Sequence, residues 1–90
     1  MLFRSALAIE DVSPNPSDRE MWVSFSLPSN EPATLELVDI TGRIVREHSI
    51  TGAGRKTLDL AAGPRLSPGV YLIRLTQAGR STVKRVSVVR

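Results

Sequence analysis

An antiparallel β-sandwich is the fold class the sequence predicts, and three observations predict it. Apolar and polar residues alternate with period two from Glu20 onward, as in Met21-Trp22-Val23-Ser24-Phe25-Ser26-Leu27. Clusters of Gly, Pro, Asn and Asp interrupt that alternation at intervals of about 8–12 residues. No stretch carries the 3.6-residue periodicity of a helix over a useful length.

The elements follow in order. Residues 6–12 supply a first strand, closed by Ser13-Pro14-Asn15-Pro16. Residues 21–27 form the second, with Met21, Val23, Phe25 and Leu27 inward and Trp22, Ser24 and Ser26 outward. Pro28 and the polar run to Pro32 end it, because proline has no N–H to give a ladder. Residues 33–40 place Ala33, Leu35 and Leu37 on one face. Asp39-Ile40-Thr41-Gly42 then reads as a tight turn. The Asp39 carboxylate can accept from the backbone two residues on, and Gly42 supplies the positive φ that closes a type I turn with a bulge. Residues 43–50 return as the partner strand, beginning at Arg43.

Gly52-Ala53-Gly54 breaks the chain before a short strand at 55–60, with Leu58 and Leu60 on one face. Residues 61–68 are the longest irregular connection. Residues 69–77 are the most β-prone stretch: Tyr71, Ile73 and Leu75 share one face, Val70 and Leu72 the other. Ala78-Gly79-Arg80 turns the chain into a last strand at 81–89. Seven short strands so spaced predict a seven-stranded immunoglobulin-like antiparallel β-sandwich, without the cysteine pair of antibody domains.

Composition bounds the chemistry. A chain of 90 residues buries only about 60–65% of its unfolded surface, so one modest core is the ceiling. Hydrophobic residues at 41% and charged residues at 23% are globular rather than disordered values. No apolar run approaches the roughly 20 residues of a membrane helix, so no transmembrane segment is expected. Cysteine is absent, which removes disulfides, thiolate metal sites and a cysteine nucleophile, and the lone His48 cannot build a zinc site. No cofactor is expected. The net charge of +3 is carried by arginines scattered along the chain, and aromatics are 4%, so no nucleic-acid surface is expected.

The residues offer no active site. His48 lies mid-strand between Glu47 and Ser49, and no glycine-framed nucleophile turn accompanies it. Glu10 and Asp11 are adjacent on a strand and so point to opposite faces. Asp39 and Asp59 stand alone, without the spaced acidic ligands of a calcium loop. The chain is not expected to be an enzyme. Trp22 points outward with its serines, as an interface anchor or as a side chain covered by an adjoining loop or the N-terminal segment.

Arg4 interrupts the opening Met1-Leu2-Phe3-Arg4-Ser5 too early for the apolar stretch of a secretory signal. These five residues resemble a translated sequencing adapter. Residues 1–5 are therefore expected to be non-native or linker, with the domain at 6–90 and the natural protein continuing upstream; the alternative is an ordinary short open reading frame that begins at Met1.

Four stretches, taken in order, carry a resemblance. They are Ser13-Pro14-Asn15-Pro16, LELVDITGRIV at 35–45, LSPGVYLIRL at 66–75 and the basic-then-aliphatic KRVSVVR at 84–90. Over residues 12–90 the chain resembles the C-terminal sorting domain (type A) of bacterial type IX secretion cargo. In that family Gly69, Val70 and Tyr71 correspond to the Gly-Val-Tyr motif. Lys84 and Arg85 match the basic start of the terminal motif, and Val86 and Val88 its aliphatic core.

The resemblance implies a non-catalytic domain attached behind a larger secreted enzyme or adhesin. It implies as partners an outer-membrane translocon and a sortase-like peptidase. The implied destination is the cell surface or medium of a Gram-negative bacterium, by way of the periplasm. A monomer is expected. The immunoglobulin-like domain of flagellar hook-capping proteins shares the Asp-x-x-Gly-Arg hairpin (Asp39, Gly42, Arg43) and the Gly-Val-Tyr strand. It typically carries Trp-Asp-Gly between them, where this chain has Thr57-Leu58-Asp59-Leu60. A generic adhesion or carbohydrate-binding sandwich of a secreted hydrolase is a third reading, and one Trp with one Tyr makes a thin row of aromatics for it.

Overall fold

Prolines and glycines fall where the chain turns, and seven strands lie between them: β1 (Ala8–Ser13), β2 (Trp22–Leu27), β3 (Ala33–Asp39), β4 (Ile44–Ile50), β5 (Gly54–Asp59), β6 (Gly69–Gln77) and β7 (Arg80–Val88). The structure, a computed structural model, describes residues 6–89. Residues 1–5, expected from the sequence to be non-native or linker, and Arg90 lie outside the described residues. Among the described residues there is no helix. Observed strand ends differ from the sequence expectation by one or two residues, most at β1, which starts at Ala8 rather than Ala6 and takes in Ser13.

The strands form two antiparallel sheets, β1-β2-β5 and β4-β3-β6-β7. The links β2→β3, β4→β5 and β5→β6 cross between sheets, which gives the immunoglobulin-like sandwich its Greek-key connectivity. Alternation sets what the sheets bury. Val12, Val23, Phe25 and Leu27 from the small sheet meet Leu35, Leu37, Tyr71, Ile73, Leu75, Val86 and Val88 from the large one. Met21 and Leu60 close one end of that core at 0% exposure.

Two bulges adjust the ladders. Ile9 pairs with Phe25 and Asp11 with Ser24, so Glu10 is the extra residue of β1. Its carboxylate accepts from Ser26 Oγ at 2.8 Å and pairs with Arg55 Nε at 2.8 Å, spanning all three strands of the small sheet. In β4, Val38 pairs with Ile44 and Leu37 with Arg46, so Val45 is the extra residue. Arg46 is thereby turned toward the sandwich edge, where its guanidinium donates to the carbonyl of Pro64 and holds the long connection at 61–68.

The two ends of the sandwich are fixed differently. At one end the buried Gln77 amide donates to the carbonyls of Ser29 at 3.1 Å and Glu31 at 2.6 Å, clamping the proline-bounded β2–β3 link. β1 begins close to this end, with Ala8 opposite Ser26. At the other end, near Val88, the buried Tyr71 hydroxyl donates to the carbonyl of Ser67, four residues upstream. This is the tyrosine corner of such sandwiches, and it sets where β6 starts. The β6–β7 turn is Ala78-Gly79, with φ of 50° and 77°, between the paired Gln77 and Arg80.

Candidate functional site

The hairpin between β3 and β4 is organised by one carboxylate. Asp39 Oδ1 accepts from the Thr41 amide at 2.9 Å, the Thr41 hydroxyl at 2.6 Å and the Arg43 amide at 3.1 Å. The Gly42 amide donates to the Asp39 carbonyl at 3.0 Å, and the Asp39 amide to the Arg43 carbonyl at 2.9 Å. With Gly42 at φ 89°, this is the type I turn with a bulge that the sequence predicts. The Thr41 hydroxyl first, then the Arg43 amide, hold the Asp39 carboxyl below its ordinary value. The Arg43 guanidinium, 3.5 Å away and 78% exposed, adds a weak surface pair. The turn thrusts Ile40 into solvent at 81% exposure.

Beside the hairpin, the tyrosine corner turns Tyr71 into the core and leaves Val70 and Leu72 on the outer face. Register then decides what β7 contributes. Tyr71 pairs with Val86 and Leu72 with Arg85, so Arg85 joins the outer face and Lys84 the inner one. Lys84 is half-buried and Arg85 exposed; the two cations do not form one patch. Val86 and Val88 lie in the core at 1% and 4% exposure.

Across the large sheet the outer face is sorted into rows. Ile44, Val38, Leu72 and Arg85 are aligned across the four strands; Glu47, Glu36, Arg74 and Val83 form the next row; Ser49, Thr34, Thr76 and Ser81 form a third. Glu36 is buried to 7% exposure, and its Oε1 is 2.7 Å from Arg74 Nε. At the apolar end an open groove of about 640 Å³ runs between Val38, Ile40, Val70 and Leu72, with Arg74 and Arg85 at its rim.

The Ser-Pro-Asn-Pro stretch reaches the same end as a strap. The Ser17 amide donates to the Ser87 carbonyl at 2.8 Å, and the Val89 amide donates to the Ser17 carbonyl at 2.8 Å. Ser17 is therefore a one-residue parallel partner of β7, opposite Val88. The Ser87 amide also donates to Asn15 Oδ1 at 3.4 Å, and the Ser17 hydroxyl turns back to the Pro14 carbonyl. The strap covers the β7 edge at 87–89. Alternation sends the N–H and C=O of Ser81, Val83 and Arg85 to that same edge, where they have no backbone partner among the described residues. All four stretches that carry the resemblance thus converge at the Val88 end.

Trp22 lies on the other sheet, 44% exposed, with Nε1 donating to Glu20 at 3.2 Å. His48 sits on β4 opposite Leu35. Among the described residues no three potential metal ligands come together, and no helix is long and apolar enough to cross a membrane. Neither the strap nor the groove is foreseen from the sequence; outward Val70 and Leu72 are the signal that could have suggested the groove.

The model of one protein family, described as the secretion system C-terminal sorting domain, matches residues 11–89. That span takes in the strap, the hairpin, the groove and all of β7. Comparison with curated proteins yields no match. Neither the hook-capping nor the carbohydrate-binding reading is favoured by these findings. With nearly its whole length matched, the chain belongs to the family of secretion system C-terminal sorting domains, the C-terminal sorting signal of type IX secretion.

Proposed function

We propose that this sorting signal is non-catalytic and that the secretion machinery reads it as a folded address at the Val88 end, with β7 as its centre. A type IX sorting signal implies secretory machinery as partner, an upstream cargo, and secretion or display at the cell surface. The finer reading is a periplasmic cargo handed to an outer-membrane translocon, with a sortase-like peptidase acting afterwards.

One observation carries the proposal. β7 is an edge strand whose edge is strapped at 87–89 and open at 81–85, with Arg85 exposed beside the opening. An open edge is a template for strand addition, and a nearby cation adds a charged contact. Val86 and Val88, buried in the core, hold the strand in place rather than present themselves. Tyr71 fixes the neighbouring strand through the tyrosine corner, and Gly69 and Val70 pair with Val88 and Ser87 of β7.

The test is a reporter fused ahead of residue 6, with a periplasmic signal peptide, in a type IX-competent bacterium. The intact domain moves the reporter to the surface or medium, and removal of residues 81–90 leaves it in the periplasm. Lys84→Ala with Arg85→Ala keeps the valines of β7 and reports whether charge is read. A reporter retained in the periplasm by the intact domain, while the host exports its own cargo, overturns the proposal.

A further inference from the structure

We infer that the groove on the outer face of the large sheet docks an extended aliphatic segment of a separate protein, with a carboxylate of that segment on Arg85. The inference rests on the sorting reading above and names the surface and the chemistry by which the signal is held. Of the six large hydrophobic side chains that stand exposed among the described residues, Ile40, Ile44, Leu72 and Val83 belong to this one face or the hairpin above it. Scattered exposed apolar residues are ordinary, but a contiguous apolar patch with a polar rim marks an interaction surface. Here the patch is continuous from Ile44 through Val38 to Leu72, and the open groove over its Val38 and Leu72 part, about 640 Å³, falls within the range of clefts that hold ligands.

Charge selects the occupant. Arg74 is committed to the buried Glu36, and Arg43 leans on Asp39. Arg85 is exposed and has no carboxylate within ion-pair distance among the described residues. The groove therefore offers an apolar floor and one uncommitted guanidinium, which binds a carboxylate through two parallel hydrogen bonds. A second copy docking by this same face would bring another uncommitted Arg85 to the interface of two chains that each carry net charge +3. An acidic aliphatic segment meets both features at once.

The experiment uses the same reporter in the same host, with three single variants. Leu72→Glu places a charge on the floor, Arg85→Glu reverses the rim, and Ser49→Glu puts the same charge on the hydroxyl row of the same face. Leu72→Glu and Arg85→Glu are each expected to lower export at least about tenfold, with Ser49→Glu near the intact level. Circular dichroism and a melting curve confirm the fold of each variant. Leu72→Ser, which removes the aliphatic surface without adding charge, repeats the test if Leu72→Glu is unfolded.

A photocrosslinking amino acid at position 72 then identifies the neighbour by mass spectrometry in exporting cells. The expected adduct is an aliphatic segment bearing Asp or Glu. An adduct to a second copy of this chain, or to a segment without a carboxylate, overturns the inference. Full export by Leu72→Glu and Arg85→Glu overturns it while leaving the sorting reading intact. Failure of the intact domain to export removes that reading and the inference with it.

Discussion

Ser17 and Val88 lie side by side as a one-residue parallel bridge, tied through the Ser87 carbonyl and the Val89 amide at 2.8 Å each. The bridge joins the link after β1 to the last strand of the other sheet. It stops the exposed edge of β7 short of Ser87. Ser17→Pro removes the donating amide and leaves the Ser87 carbonyl to solvent or unpaired, at an expected cost of about 1–3 kcal/mol. Ser17→Ala keeps both backbone bonds and is the milder change. Urea denaturation midpoints measure the difference, and exchange of the Val89 amide should quicken in Ser17→Pro alone.

A Cβ placed on Gly42 would meet open space, yet the residue sits at a φ of 89°. The penalty for a substitution there is therefore conformational rather than steric. Gly42→Ala is expected to lose about 1 kcal/mol, and the β-branched Gly42→Val more. An unchanged denaturation midpoint for Gly42→Val contradicts the turn geometry.

The Tyr71 corner separates packing from hydrogen bonding. Tyr71→Phe keeps the ring in the core and loses only the bond to Ser67, for an expected cost of about 0.5–1.5 kcal/mol, the net worth of one hydrogen bond. Tyr71→Ala empties a core position and is expected to lose about 3–5 kcal/mol. Equal losses in the two variants would mean that the hydroxyl, not the ring, anchors β6.

Acid should loosen the β3–β4 hairpin late. The Asp39 carboxyl is held below its ordinary 3.8 by the Thr41 hydroxyl first and the Arg43 amide next. A depressed folded value means that the stabilisation is complete above the unfolded value and disappears as pH falls through the lower folded one. The Thr41 and Arg43 amide resonances, which report their bonds to that carboxylate, should titrate together with a midpoint below 3.8. A midpoint at or above 3.8 contradicts the hydrogen-bond geometry.

Period-two alternation makes the core legible. It places Met21, Val23, Phe25 and Leu27 inside, and Tyr71, Ile73 and Leu75 inside with Leu72 outside, as found. The Asp39–Gly42 turn is legible because its chemistry is local. The bulges at Glu10 and Val45 are not, since an inserted strand residue leaves no mark until its partner strand is known. The groove depends on that same register: Ile44 reaches the row of Val38 and Leu72 through the pairing that the Val45 bulge adjusts. Ser17 is invisible in the sequence because a single bridging residue has no periodicity. Lys84 and Arg85 read as one basic pair by adjacency, whereas the pleat sets them on opposite faces.

β1 starts by the Gln77 clamp, while the strap, hairpin and groove gather at the Val88 end. The two poles are separated by most of the length of the nine-residue β6, about 26 Å at the usual rise per residue. A passenger joined ahead of Ala8 therefore departs from the pole opposite the strap, hairpin and groove. A groove turned away from the point of attachment asks less of the tether that separates label from load.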